Sequence, residues 1–366
     1  MKKSAKQEIT LMQYIFIIHG AQVGIGITKF PLQLAEIAGT DGWMGIIIGW
    51  IVSLVASLVI IQVMKRHPDQ NLIDLLQRYF GKWIGKVITL VIVMYMISLA
   101  YFVMQRMALH VKSWVLQPTP IYVLLILFAI PSYLIIRGGV QTIGRYAELV
   151  FFMSLWLLIV FLMPLGDSHW IHLLPLFKEG IQPVLLSASS SVLSFFGFEI
   201  AFFLYPYLQN KQRASIGIVF ANSLTMLVYL YVTIVCFVYF SPDQITQLYE
   251  PTLSILKVIE FEFIERFDII LLTFYIIVVS KVWIPYLLFS VTSIVQVFGK
   301  KNYTPLLLMV FLIFVLVTYF LNISFNDSER IVKYIEQVGI LIAFVFPLCF
   351  WFYMTAFDHL HRRMHK

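Results

Sequence analysis

Charge is what this sequence has least of. Only 12% of its 366 residues are Asp, Glu, Lys or Arg, against about 25% in soluble domains, while 60% are hydrophobic at a mean hydropathy of +0.88. So little charge cannot coat a globule in water, which excludes an ordinary soluble enzyme, a disordered chain and a nucleic-acid-binding protein. Cysteine is scarce as well: Cys236 and Cys349 both lie in apolar runs and read as buried free thiols with no disulfide or metal role. Also missing are the H-E-x-x-H pattern, a nucleophile elbow and a phosphate loop, so membrane hydrolases and ATP-driven pumps lose their usual signatures. No catalytic set, metal site or cofactor is expected.

What is present is apolar sequence in runs near 20 residues long, the length of a membrane helix rather than the shorter alternating segments of a barrel strand. In lipid every backbone N–H and C=O must be paired within the chain, so these runs predict helices. Ten can be read, roughly Leu11–Ile37, Trp43–Met64, Val87–Leu109, Thr119–Ile136, Tyr146–Pro164, Val184–Leu208, Ala214–Phe240, Phe267–Phe298, Tyr303–Leu321 and Tyr334–Phe357. The opening Met1-Lys2-Lys3 and apolar run resemble a signal peptide without a cleavage site, and read as a retained first span. The expected protein is an all-α polytopic membrane domain over 1–366.

With ten spans both termini share a side, and 17 Lys and Arg residues between the spans fall on that side against 7 on the other. The bias places both termini in the cytoplasm, with a basic tail over 358–366. Asp243, Glu250, Glu260, Glu262, Glu265 and Asp268 gather on the opposite side. The net charge of +7 is thus mainly topology and needs no nucleic-acid partner. Two loops carry helical periodicity: Pro68–Gly85, read as an amphipathic helix at the cytoplasmic interface, and Thr252–Glu265, read as one covering the outer mouth.

Five spans per half is an odd number, so a duplicated unit would run upside down in its second copy, giving an inverted repeat of 1–164 and 184–357. Spans one and six share a defect. Gly24-Ile25-Gly26 interrupts the first, and Ser189-Ser190-Ser191 followed by Phe196-Gly197-Phe198-Glu199 interrupts the second. Paired breaks point to a midplane binding site in a secondary transporter fold. The restarted helix near Gly26 or Ile27 offers free N–H groups to a carboxylate, and the freed carbonyls suit an ammonium. Backbone at Val23, Gly24, Ile25, Gly26 and Ile27, with Phe195, Phe196, Gly197, Phe198 and Tyr95 shaping the pocket, is the expected ligand site, and a zwitterionic amino acid fits it.

Three charges fall within spans. Lys281 lies near the centre of span eight, at a cost of at least about 2.5–3.5 kcal/mol, and calls for a partner or a watery cavity. In a five-plus-five fold span eight would pack beside span one, where sodium-coupled members place a cation, and a fixed ammonium there would take that cation's place. Glu199 follows the span-six break and is the natural counter-ion for Lys281, Lys29 or a substrate amine. Lys29 lies about one turn beyond the first break, where snorkelling to the outer face competes with pairing. Glu148, three residues after Arg145, reads as its salt-bridge partner.

The chain resembles the integral-membrane B subunits of bacterial endospore germinant receptors, within the amino acid–polyamine–organocation transporter superfamily. The matching pieces are Gly24-Ile25-Gly26 with Pro31, Asp41-Gly42-Trp43, Gly81-Lys82-Trp83-Ile84-Gly85, Gly138-Gly139 with Arg145, Gly197-Phe198-Glu199 with Pro206, Pro251-Thr252-Leu253-Ser254 and Phe263-Ile264-Glu265-Arg266-Phe267. Relatives often write Leu-Pro-Arg in span one, whereas here the order is Lys29-Phe30-Pro31-Leu32, with the basic residue on the other side of the proline. The resemblance implies a LeuT-like (APC) fold with helices 1 and 6 broken. It also implies a subunit that binds a small nutrient germinant, commonly an amino acid, and works with a larger A subunit and a C-type lipoprotein in the spore inner membrane. An amino acid permease, proton-coupled or exchanging, is the alternative; a structural or ion-conducting component is a third.

Overall fold

The computed structural model describes residues 8–178, 180–259, 266–321 and 323–364. Lys2, Lys3, Lys6, Glu260, Glu262, Phe263, Ile264, Glu265 and the end of the basic tail lie outside the described residues.

Each of the ten apolar segments is helical. Among the described residues seven helical stretches are long and apolar enough to cross a membrane, and an eighth span is a pair, Ile181–Ser194 and Phe198–Tyr207, bent by 44°. The other two are the short helix Ile121–Arg137 and the first span, divided into Leu11–Gln22 and Phe30–Ala38. Gly39, at φ +54, turns the chain before span two, Gly42–Lys65. Span three is Leu72–Trp114, span five Gly139–Val160, span seven Ala214–Tyr239, span eight Phe267–Val297 and span nine Thr304–Leu321. Span ten runs through Phe325–Ile340, a π-helical stretch Leu341–Val345 and Phe346–Met364.

The molecule is apolar outside and polar at its centre, as lipid demands. Exposed Val87, Val91 and Met94 on span three, Leu308, Leu312 and Leu316 on span nine, and Ile126, Leu127, Ile130 and Leu134 on span four follow helical spacing. Buried Gln22, Asn222, Thr225, Ser57, Ser290, Glu199 and Lys281 occupy the interior. Span two lies against span six through Gly45 and Gly49, where an added Cβ would come within 2.1 Å of Ser187 Oγ and 2.6 Å of Ser191 Cβ. This is the small-residue packing by which membrane helices approach. Cys236 is buried, but Cys349 is exposed on the lipid-facing surface of span ten rather than enclosed.

Both amphipathic segments pack on protein. Leu72–Phe80 begins at an Asn71–Asp74 capping box and is set off from the rest of span three by Gly81 at φ +80. Its face of Leu72, Leu75, Leu76 and Tyr79 is buried, with the Tyr79 ring against Phe350, Tyr353 and Phe357 of span ten. The expected interfacial helix is therefore covered by the chain itself. Of the second, Pro251–Lys257 is helical with Pro251, Thr252, Leu253, Ile255 and Leu256 buried, and 260–265 lie outside the described residues. Ile9 donates to Tyr207 and accepts from Gln209, so the ends of spans one and six are tied together.

Candidate functional site

The two breaks touch. Span one leaves helical geometry at Val23 (φ −80, ψ 84) and Gly24 (φ −109, ψ −156), turns through a 3-10 segment Ile25–Thr28 and resumes as α-helix only at Phe30. Span six stays helical through all three serines, whose region is not broken. Ser189 and Ser191 donate back to Leu186 and Ser187, as hydroxyls do within intact helices. Its break lies at Phe195–Gly197, with Gly197 at φ +127. A Cβ on Gly197 would fall 2.7 Å from the Ala21 carbonyl carbon and the Gln22 nitrogen, so this glycine is what lets one break lie on the other.

Most of the carbonyls freed at the breaks have donors within the protein. Tyr229 of span seven lies 2.7 Å from Gln22 O and 2.8 Å from Ser194 O, and the Gln22 amide donates to Phe195 O at 2.9 Å. Tyr275 donates to Gly24 O, the Thr28 hydroxyl to Ile25 O, the Lys29 N–H to Gly26 O and Thr252 to Ile27 O. Buried carbonyls need such partners, and these are supplied by the protein. The Thr252 contact comes from the Pro251-Thr252-Leu253-Ser254 motif, which closes over the first break.

Beside the breaks lies a cavity of about 210 Å³. Gly24, Ile25, Gly26 and Lys29 line it from span one and Phe196 from span six, with Ser190, Ser194 and Tyr229 nearby. Gly26 faces open space, with nothing within 4 Å of where its Cβ would stand. Spans three and ten close the other side with Leu99, Phe102, Val103, Arg106, Glu329, Val332 and Glu336. Arg106 and Lys333 belong to this wall, although by position they count among the external topology charges. Their signal was there in the spacing. Leu99, Phe102, Val103 and Arg106, and again Glu329, Val332, Lys333 and Glu336, follow i, i+3, i+4, i+7, one face of a helix each.

The other expected site residues lie elsewhere. Val23, Ile27 and Phe195 turn into an apolar cluster with Phe30 and Tyr229, and Phe198 packs edge-on against Phe344. Gly197 contributes contact with span one rather than cavity surface. Tyr95 points into a separate, deeper pocket, where it donates to Glu199 at 3.2 Å. Tyr286 donates to the same carboxylate, and the Gly197 N–H, within the break itself, donates to its other oxygen at 2.8 Å.

None of the three intramembrane charges pairs with another. Glu199 is held by the two tyrosines and the backbone. Lys29 is buried, not snorkelling, and its Nζ meets Glu329 at 2.9 Å with the Tyr249 ring centroid 3.2 Å away. Lys281, 3% exposed, lays its stem across Gly20 of span one, and its ammonium has no hydrogen bond or ion pair among the described residues. Glu148 accepts from Gln13 of span one instead of pairing with Arg145.

Over the rim, Glu250 accepts from His110 at 2.6 Å and Thr28 at 3.2 Å. Burial alone pushes its carboxyl up, but the His110 and Thr28 contacts and the Lys29 charge outweigh this and hold it below the usual carboxylate value.

A family model described as spore germination protein matches residues 8–329. The chain is 25% identical over 363 residues to spore germination protein GerQB of Bacillus cereus, spanning 97% of this chain and 98% of that one. It is 27% identical over 360 residues to spore germination protein A2 of Bacillus subtilis (strain 168), spanning 95% of each. Similar solved structures include MhsT in complex with L-phenylalanine, at 14% identity and a TM-score of 0.65 over 95% of this chain and 89% of that one. A substrate-bound, outward-open Na+-coupled sialic acid symporter matches at 12% identity and 0.65 over 93% and 80%. The architecture is thus the LeuT-like one, with spans one and six broken.

Proposed function

We propose that this chain, which belongs to the spore germination protein family, is the nutrient-binding membrane subunit of a germination receptor. A small germinant, an amino acid first, occupies the cavity at the paired breaks and shifts a transporter-like equilibrium that partner subunits read. The observation that carries this reading is the cavity itself, lined by both broken spans. The L-phenylalanine bound to MhsT supports an amino acid as its occupant. Within this reading the chain comprises two inverted five-helix units, 1–164 and 184–357. Its termini and basic tail 358–366 face the cytoplasm, in the spore the core side of the inner membrane, as the basic bias supports. An A-type membrane subunit and a C-type lipoprotein are its partners, and it carries out no catalysis. Lys281, set between spans one and eight, serves as a fixed cation, and Glu199 and Lys29 hold the broken segments in place.

Equilibrium binding of amino acids, sugars and nucleosides to the purified chain in nanodiscs tests this. Saturable binding of a nutrient that is lost in Gly26→Leu supports it, and no binding across the panel rejects it. A second reading, an amino acid permease, is favoured by the symporter likeness and by a buried titratable carboxylate at Glu199. Substrate accumulation in liposomes containing this chain alone would select it.

A further inference from the structure

Five charged side chains face the cavity, Lys29, Arg106, Glu329, Lys333 and Glu336, and they are not used alike. Lys29 and Glu329 neutralise each other. Arg106 of span three and Glu336 of span ten do not: neither has a hydrogen bond or ion pair among the described residues, and the Arg106 Nε is buried with no partner. They line the same cavity, and no ion pair joins them. A guanidinium and a carboxylate held apart in a half-buried site are costly unless something bridges them.

We propose that the ligand is a zwitterion held lengthwise between these two groups, its carboxylate on the Arg106 guanidinium and its ammonium on the Glu336 carboxylate. The inference rests on the cavity reading above and adds the ligand's orientation and class. The ammonium end is decided by exclusion within the site. The carbonyls of Gln22, Gly24, Ile25, Gly26 and Ile27 already have donors, and Glu329 is taken by Lys29 and Tyr249. Glu336 is the carboxylate left. The carboxylate end has a planar fork in Arg106 that matches its two oxygens. Between the two ends the walls include Leu99, Phe102, Val103 and Phe196, an apolar surface, and besides the Lys29–Glu329 pair the one further charge on the lining is Lys333. The class is therefore α-amino acids with an uncharged side chain, with basic ones disfavoured because Arg106 and Lys333 repel a second ammonium.

The test uses the full-length chain in nanodiscs and a panel of L-alanine, L-leucine, L-phenylalanine, L-glutamate and L-lysine. For each binder, the N-acetyl derivative and the amine lacking the carboxylate are measured as well. On the wild-type protein each blocked derivative is expected to bind about 10- to 100-fold more weakly, the worth of one charged hydrogen-bonded contact. Glu336→Gln should weaken the amino acid by a similar factor and leave the N-acetyl derivative unchanged. Arg106→Gln should weaken the amino acid and leave the amine unchanged. Blocked derivatives that bind like the parent, or amino acid binding that is abolished by Gly26→Leu yet indifferent to both charge variants, overturns this proposal while keeping the site. Binding insensitive to Gly26→Leu, or none at all, overturns the site. The derivative arm needs no variant, so it decides the matter even where a charge substitution fails to fold.

Discussion

Lys29 and Glu329 meet at 2.9 Å across the rim of the cavity, one just before the restarted half of span one and the other in the first turns of span ten. Tyr249 donates to the same carboxylate oxygen from the loop above. The contact joins three separate elements at the point where a ligand would pass. Lys29→Met should therefore speed ligand dissociation by roughly three- to tenfold, the effect of losing a partly buried charge pair. Stopped-flow release would show it, and the swapped pair Lys29→Glu with Glu329→Lys should slow release again. Unchanged dissociation in Lys29→Met would mean that the rim does not retain the ligand.

Gly26 and Gly197 both sit at breaks and should respond in opposite ways. Gly197→Ala places a Cβ 2.7 Å from span-one backbone at a φ that side chains resist, so it should cost more than about 3 kcal/mol and lower Tm sharply. Gly26→Leu enters open space and should leave Tm nearly unchanged while abolishing ligand binding. Thermal unfolding read beside binding separates the two. A Gly26→Leu protein that still binds would move the ligand elsewhere.

Glu250 gives the outer cover a dependence on acid. Its carboxyl is held below the ordinary value by His110, Thr28 and Lys29 against the opposing push of burial, so the stabilisation is complete above that ordinary value. It is lost as pH falls through the lowered one. Amide exchange over Pro242–Gln247 and Pro251–Lys257, corrected for its intrinsic pH dependence, should accelerate below the normal glutamate range, and Glu250→Gln should exchange fast at neutral pH already.

Lys281 sets stability against function. An ammonium with no partner among the described residues in mid-span is a standing cost, so Lys281→Met should raise Tm. If the ammonium acts as the fixed cation between spans one and eight, the same variant should lose the ligand-induced change in conformation, measured by distance labels across spans one and eight. A variant that is more stable and still switches would leave the lysine without a role.

Much of the fold was legible because lipid enforces a simple rule, that long apolar runs are helices. All ten runs are, and the break in span one falls where Gly24-Ile25-Gly26 placed it. The break in span six is displaced from the serines because hydroxyls that bond back to the preceding turn leave a helix intact, whereas the positive φ at Gly197 ends it. The polar start of span ten escaped notice because Asp327, Glu329, Arg330, Lys333 and Glu336 depress its hydropathy, so the apolar run reads as beginning at Tyr334. Arg106 escaped for a related reason, since a charge near a span end satisfies a topology rule and prompts no further question. What no one-dimensional pattern reveals is which carbonyls are already occupied. That depends on Tyr229, Tyr275 and Thr252, which are remote in the chain from the breaks they serve.

Tyr229 carries one hydroxyl proton and faces two carbonyl oxygens, Gln22 at the end of one half-helix and Ser194 at the end of the other. At any instant it can satisfy only one fully, and Gln22 O keeps a second donor in the Gly24 N–H at 2.9 Å, so at the seam between the broken helices the shared proton can rest on Ser194 without leaving Gln22 bare. Parting the seam on one side then forfeits little, because the proton simply stays with the other acceptor, and the loss is at most about one hydrogen bond of 0.5–1.5 kcal/mol. The contact between the two half-helices is in that sense shared rather than fixed at this tyrosine.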